Sequence, residues 1–367
     1  MSLLDGSSFS RSFSFLALDF GVLENDPYRS RNTIASAQNA YNRGFHKNSQ
    51  HVCDVGEGAV FKVSLRKSNV NGRLYAFKSA KKTACYTKGK SGSSAIGVFP
   101  VLREIQVVSH DVAKSHPNIV DVIGWDWSET RTPIVFVEYA ELGSLKDFLQ
   151  AQGSSLKPYE KSQLCLDIAC GLNALHCIDI AHGDVKLANT LVFTEDHGAY
   201  KAKISDFSHS IFGLSSRRKS TYPGSHLYNA PEIRKRESMV FSDRLPRCET
   251  FSFGLLVWEV LKNGLPFFEE EWLCRTSTSA SSSSLTTHEA SLESLGKNGV
   301  LDKAKQFLSC SDVSMKDQPT FYHVFCMTLM DNPDLRADMQ NVAMRLDEWD
   351  ESVLHSSFVY NLLYVYF

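Results

Sequence analysis

Ile180-Ala181-His182-Gly183-Asp184-Val185-Lys186-Leu187-Ala188-Asn189-Thr190-Leu191-Val192, followed by Lys203-Ile204-Ser205-Asp206-Phe207, is the stretch that decides the fold. Within it an Asp is followed two residues on by a Lys and five on by an Asn. A second Asp, Asp206, comes later on an expected strand. Carboxylates and amide oxygens accept hydrogen bonds and bind hard cations, while an ammonium group faces anions. Together these groups can present a hydroxyl, a phosphoryl group and metal ions to one another. A single Asp or Asn on a loop is more often a turn residue, so the weight falls on what surrounds the stretch.

Upstream, Val55-Gly56-Glu57-Gly58-Ala59-Val60-Phe61-Lys62-Val63 reads as strand, glycine turn, strand. Glycine lets a backbone approach phosphates closely, and successive N–H groups can point at them. Leu74 to Lys78 reads as a further strand whose alternation puts Ala76 and Lys78 on one face. Glu104 lies in the apolar Leu102–Val108 segment. Lys88-Gly89-Lys90-Ser91-Gly92-Ser93-Ser94 between them reads as a flexible loop. Pro133 to Val137 reads as a buried strand. From Tyr159 to Cys177, Leu164, Ile168, Leu172 and Leu175 recur at helical spacing and predict a core-facing helix that leads into the opening stretch. Downstream come Gly224-Ser225-His226-Leu227-Tyr228-Asn229-Ala230-Pro231-Glu232, an apolar helix over Thr250–Glu259, and Asp331-Asn332-Pro333-Asp334-Leu335-Arg336.

In this order the strings resemble the eukaryotic protein kinase family over roughly 51–348. The family's marks are a His-Arg-Asp catalytic loop, an Asp-Phe-Gly metal loop and a segment ending in Ala-Pro-Glu. The resemblance implies an α+β, bilobal fold. Its small antiparallel N-lobe with one helix would span 51–137, its hinge 138–143, and its mainly helical C-lobe 144–348. It implies an ATP-dependent protein serine/threonine kinase using ATP and Mg²⁺ on protein substrates. Asp184 would orient the acceptor hydroxyl, and Lys186 would sit on the γ-phosphate. Asn189 and Asp206 would hold the metal. Gly56 and Gly58 would cover the phosphates, while Lys78, paired with Glu104, would hold the α- and β-phosphates. Val63 and Ala76 would roof the adenine, Leu191 would floor it, and the backbone of Glu138 and Ala140 would bond its edge. Glu232 would form a buried pair with Arg336, for which the bidentate guanidinium is suited. Lys186 and Ser225 point to Ser/Thr rather than Tyr as acceptor.

The chain departs from the family pattern at four places: Phe61 for the third glycine, Gly183 for Arg, Ser208 for Gly and Glu249 for Asp. Phe61, Ser208 and Glu249 support a rival reading as a pseudokinase scaffold. His182-Gly183-Asp184 also matches small-molecule phosphotransferases of the aminoglycoside type, against which Lys186, Ala230-Pro231-Glu232 and Arg336 weigh. Gly183 cannot pair with a phosphate, so activity is expected not to depend on phosphorylating Ser215, Ser216, Ser220 or Thr221.

The remaining expectations come from composition. A net charge of −2 supplies no global field for nucleic acid. Nine scattered Cys without a framework suggest reduced thiols, hence a cytoplasmic or nuclear location. No apolar run approaches the roughly 20 residues of a membrane helix, and the start shows no signal-peptide pattern. Residues 1–50 read as a partly disordered leader and 276–287 as a Ser/Thr-rich insertion. Residues 349–367 read as an aromatic tail packing on the domain. Oligomeric state is not legible.

Overall fold

The computed structural model describes residues 48–58, 60–81, 86–88, 94–96, 99–127, 133–234, 239–267 and 295–348. Nearly all of the leader, the Ser/Thr-rich tract and the tail lie outside those residues. The strands of the small lobe are β1 (Ser49–Glu57), β2 (Phe61–Ser68), β3 (Leu74–Ala80), β6 (Val122–Trp127) and β7 (Pro133–Glu138). They form one antiparallel sheet in the order β1-β2-β3-β7-β6. Val63 pairs with Lys78 and Leu65 with Ala76, so the pleat puts these four side chains on one face. Helix α1 (Phe99–Val108) is tied to the sheet by the Lys78–Glu104 ion pair, and a short α2 (Asp111–Ser115) follows.

The excess between β3 and α1 is not wholly structureless. Tyr86–Lys88 (β4) and Ser94–Ile96 (β5) pair as a two-stranded ribbon, with Tyr86 opposite Ile96 and Thr87 opposite Ala95. Tyr, Thr and Ile favour pleated backbone, and the Gly-Lys-Ser-Gly run between them suits a turn.

In the large lobe α3 (Leu145–Gln152) is capped by Ser144, whose hydroxyl accepts from the Asp147 N–H. Helix α4 (Pro158–Cys177) starts with Pro at its first position, and the Glu160 carboxylate accepts the Lys157 N–H at 2.7 Å. Its stripe of Leu164, Ile168, Leu172 and Leu175 is completely buried. Helix α6 (Leu245–Leu261) is buried on all sides from Cys248 to Leu261, which makes it the axis of the lobe. Around these lie β8 (Ile180–Ala181), β9 (Thr190–Thr194), β10 (Tyr200–Ile204), β11 (Ile211–Phe212), β12 (Lys219–Ser220), α5 (Pro231–Arg234), β13 (Val240–Phe241), α7 (Gly299–Cys310), α8 (Gln318–Thr328) and α9 (Met339–Asp347). Strands β9 and β10 form a hairpin, β8 pairs with β11 and β12 with β13.

Two of the places where the lobes meet are stretches of the chain that joins them. One is the segment after β7. The other is His116–Val120, where Ile119 and Ile204 form a parallel bridge. There Val120 N–H donates to the Ile204 carbonyl at 3.0 Å and Ile204 N–H to the Asn118 carbonyl at 2.9 Å. Asn118 Nδ2 then reaches Asp167 Oδ1 on α4 at 2.8 Å.

Among the described residues no helix is long and apolar enough to cross a membrane. Seven of the Cys fall among those residues, and none of the seven is in a disulfide.

Candidate active site

The cleft between the lobes collects the polar residues. Asp184 follows β8 and sits at its centre. Its Oδ1 accepts the Ser225 N–H at 2.9 Å and the Ser225 hydroxyl at 2.8 Å. Its Oδ2 accepts Lys186 Nζ at 2.6 Å and Asn189 Nδ2 at 2.9 Å. Lys186 Nζ also donates to Ser225 Oγ at 2.8 Å. Burial alone would raise the Asp184 carboxyl, but hydrogen bonding and charge from Lys186, with Ser225 behind them, hold it below the ordinary range. Asn189 Nδ2 donates a second time, to the Asp184 carbonyl at 2.8 Å. An amide so engaged has its oxygen to offer a cation.

Asp206 does not lie on a strand, contrary to the sequence reading. Strand β10 ends at Ile204, and Asp206 takes φ +65°, ψ 74°, a left-handed conformation no strand contains. The turn lets its side chain accept the Ser208 hydroxyl at 2.6 Å. Burial works against the charged form of Asp206, but Lys78 and the Ser208 hydroxyl prevail and hold its pKa low. Ser208 itself is absent from the positive-φ residues, so the loss of glycine there strains nothing. Phe207 is fully buried, and its N–H donates to Glu104 Oε2 at 2.6 Å.

Lys78 Nζ donates to Glu104 Oε1, joining β3 to α1. Burial would strip the proton from Lys78, but the charges of Glu104 and Asp206 outweigh it and raise the pKa. Phe61 is buried, with Lys78 Nζ 4.7 Å from its ring centroid. Gly56 and Gly58 turn above with ordinary φ. A β-carbon on Gly56 would meet nothing within 4 Å, and one on Gly58 only the Phe61 carbonyl at 3.9 Å. Among the described residues nothing requires glycine at either position in this conformation.

His182 links the two halves. Its Nδ1 accepts the Asp184 N–H at 3.2 Å, so the ring proton sits on Nε2 and is donated to the Ser205 carbonyl at 3.0 Å. Its ring lies 5.4 Å from that of Phe207. Gly183, at φ +84°, lies against the 3-10 turn Phe207–His209: a β-carbon there would be 2.1 Å from the His209 carbonyl oxygen. The longer Glu249 still reaches the catalytic loop. Its Oε1 accepts the Gly183 N–H at 2.6 Å and its Oε2 bonds His176 Nε2 at 2.7 Å. Burial opposes the charge on Glu249, but the His176 contact and the Gly183 N–H hold its pKa low.

Farther down, Arg336 pairs bidentately with Glu232 at 2.7 and 2.8 Å and gives its other donors to the carbonyls of Met330, Arg247 and Asp331. Where the resemblance would put adenine, Ala76 and Val137 are buried, Val63 is partly so, and Leu191 bridges to Ser144. The Glu138 N–H is taken by the Asp121 carbonyl at 3.0 Å. The Ala140 carbonyl likewise accepts the Gly143 N–H at 3.2 Å, so the Glu138 carbonyl and the Ala140 N–H are the groups of this pair left for a base edge.

Sequence reasoning missed several of these contacts. His176 and Glu249 are 73 residues apart, and no spacing rule joins them. Nor does one join Glu138 to Lys203, whose Nζ lies 2.7 and 2.9 Å from the two carboxylate oxygens. The Ser208 hydroxyl could have been read locally, since a hydroxyl two residues from a turn Asp commonly bonds it.

A family model for the protein kinase domain matches residues 49–341. A probable serine/threonine-protein kinase of Dictyostelium discoideum is 31% identical over 60% of this chain and 40% of its own length. The serine/threonine-protein kinase GRIK2 of Arabidopsis thaliana is 27% identical over 69% of this chain and 60% of its own. The serine/threonine/tyrosine-protein kinase HT1 of the same plant is 26% identical over 65% and 52%. The chain thus spans about half the length of these relatives.

Proposed function

This chain belongs to the protein kinase family, and from that premise we propose that it transfers the γ-phosphoryl group of ATP to serine and threonine hydroxyls of protein substrates. The observation that carries the reading is the Asp184 carboxylate held ionised by Lys186, Asn189 and Ser225. A carboxylate so oriented can accept the proton of an acceptor hydroxyl and aim its oxygen.

The residues fit a divalent cation and a nucleotide. Asp206 and the Asn189 amide oxygen are hard oxygen donors, which suits Mg²⁺, a cation that completes its shell with water and phosphate. The open space around Gly56 and Gly58 is where a backbone can approach phosphates. When bound, Mg²⁺ neutralises charge developing on the phosphoryl oxygens. The chain's own residues do the rest. Lys78, fixed by Glu104, meets phosphate oxygens. A carboxylate has about four lone-pair sites, and four donors already occupy those of Asp184. An incoming hydroxyl therefore needs one vacated. Lys186 can vacate it by turning its ammonium group from Oδ2 toward the phosphoryl group.

A second reading, a nucleotide-binding scaffold, draws on Phe61, whose ring lies against the Lys78 ammonium group. Radiolabelled transfer and calorimetry with Mg-ATP separate the two. Asp184→Asn is expected to lose about 10²–10⁴-fold in kcat while ATP affinity stays within about threefold, because a transition-state contact is removed and not a ground-state one. ATP binding without transfer in the unaltered chain favours the scaffold. Products dominated by phosphotyrosine overturn the acceptor assignment. A cytoplasmic or nuclear location belongs to the same proposal and rests on the Cys usage alone.

A further inference from the structure

Phe61 opens β2, at the position where the family pattern has its third glycine. It pairs with Ala80 as Val63 pairs with Lys78, so the pleat carries the Phe61 ring onto the face that bears the Lys78 ammonium group. Lys78 also feels the charge of Asp206 from the large lobe, so this face is turned to the cleft. Phe61 is 3% exposed and belongs to the main apolar core, as do Val101 and Ile105 of α1. Its ring centroid lies 4.7 Å from Lys78 Nζ. Its backbone engages a second group, for the Phe61 carbonyl accepts the Gly58 N–H at 2.8 Å. Next to it the Lys81 N–H donates to the Val60 carbonyl at 2.9 Å and holds the turn to β3. The space above Gly56 and Gly58 is open, but the ammonium group and the amide beneath it are both engaged by one residue.

We infer that Phe61 is a specificity-determining residue set against the phosphate tail: with its ring on Lys78 the cleft favours a nucleoside, and a triphosphate enters only when that ring leaves. The inference rests on the kinase reading above, which gives Lys78 to the phosphates. An ammonium group has three N–H donors. On Lys78 one goes to Glu104, and the Phe61 ring lies against the group. A phosphate oxygen needs a donor, and the ring has none to offer in exchange. The ring bears on the tail and not on the base. Ala76 lies four residues along β3 from Ala80, the residue opposite Phe61, which is about 13 Å of strand.

Leaving costs the ring its burial and its contact with a cation. The apparent dissociation constant for a triphosphate is therefore the intrinsic one divided by the fraction of molecules whose ring is away. If about one molecule in ten has the ring away, the loss is about tenfold. A nucleoside, which ends short of Lys78, escapes it. Alanine at position 61 has no ring to move. Leucine keeps much of the apolar volume but presents no π face to the ammonium group.

The test is calorimetry on the full chain, Phe61→Ala and Phe61→Leu, titrated with Mg-ATP and separately with adenosine. Phe61→Ala is expected to bind Mg-ATP about tenfold more tightly than the unaltered chain, and Phe61→Leu about threefold or more. Adenosine should stay within about threefold across the three proteins, because it carries no phosphate. The adenosine titration also exposes a cavity that loosens the small lobe, which would weaken both ligands together. The leucine variant repeats the measurement with less of the core removed. Mg-ATP binding by Phe61→Leu that is unchanged or weaker overturns the inference and, with the unaltered chain still binding Mg-ATP, leaves the proposed function in place. Equal tightening of both ligands overturns it as well, since the ring would then bear on the base. If none of the three proteins binds either ligand, the nucleotide reading fails and takes the inference with it.

Discussion

A β-carbon built on Gly58 would find its nearest neighbour at 3.9 Å, whereas one built on Gly183 would sit 2.1 Å from a backbone oxygen at φ +84°. The first glycine lies in the small-lobe loop and the second in the catalytic loop. Around Gly56 and Gly58 the described residues leave room, so under the proposed function the reason for glycine there lies in the nucleotide. Around Gly183 the chain itself fills the room. The missing side chain lets the backbone at His209 lie on the catalytic loop, and Glu249 reaches up to hold the Gly183 N–H. One half of the cleft is shaped for a ligand and the other is already assembled.

The sharpest way to break this contrast is Gly183→Ala. A β-carbon at positive φ, against a backbone atom with nowhere to move, should cost about 4 kcal/mol of stability by denaturant titration. A loss under about 1 kcal/mol would mean the loop is not fixed by that approach.

The assembled half also carries a pH signature. Tyr228 donates its hydroxyl to the buried Glu259, and burial lifts that carboxyl from 4.5 to about 7. Above about pH 4.5 the unfolded chain has shed a proton that the folded chain still binds. Stability therefore falls as pH rises toward 7, and the penalty saturates beyond it, near about 3 kcal/mol. Glu259→Gln should flatten thermal stability between pH 5 and 8 by that order. A curve as steep as that of the unaltered chain would show that the carboxyl is not raised.

On the open side, Gly58→Ala should change stability by less than about 0.5 kcal/mol yet weaken Mg-ATP binding by about tenfold, or about 1.4 kcal/mol. Equal affinity in calorimetry would remove the ligand as the reason for that glycine. The smallest effect expected is from Ser208→Gly, at an ordinary φ with its hydroxyl on Asp206. The rate of transfer should stay within about threefold or rise. A fall beyond about tenfold would make the hydroxyl part of the metal site.

Most of the two-lobed fold was legible because its motifs are local: a glycine turn between strands, an apolar stripe at helical spacing, an Ala-Pro-Glu string. The clustering of Asp184, Lys186 and Asn189 follows from a spacing of two and five residues. What the sequence hid was contact between distant partners. Glu249 looked like a departure because the sequence shows its extra methylene but not His176 and Gly183 on either side of its carboxylate. Asp206 directly follows the β10 run in the sequence, which carries no mark of where the strand ends, and only backbone angles reveal the turn. Ser208 looked like a loss of freedom, whereas the backbone there has no need of it.

The parallel bridge between Ile119 and Ile204 has a mechanical consequence. Residues 116–120 sit in the chain between a small-lobe helix and a small-lobe strand, yet they are pinned to β10 and α4. A swing of the lobes must then turn where the chain crosses, just before His116, just after Val120 and just after β7, and the last two of these crossings lie side by side. Those two are fastened to each other. The Glu138 N–H donates to the Asp121 carbonyl at 3.0 Å, the Asp121 N–H donates to Glu138 Oε1 at 2.6 Å, and Lys203 braces that carboxylate from β10. A door on one pin can yaw as well as open; on two pins joined by a plate it has a single axis. The lobes should close like the second kind, with one dominant rotation and little shear.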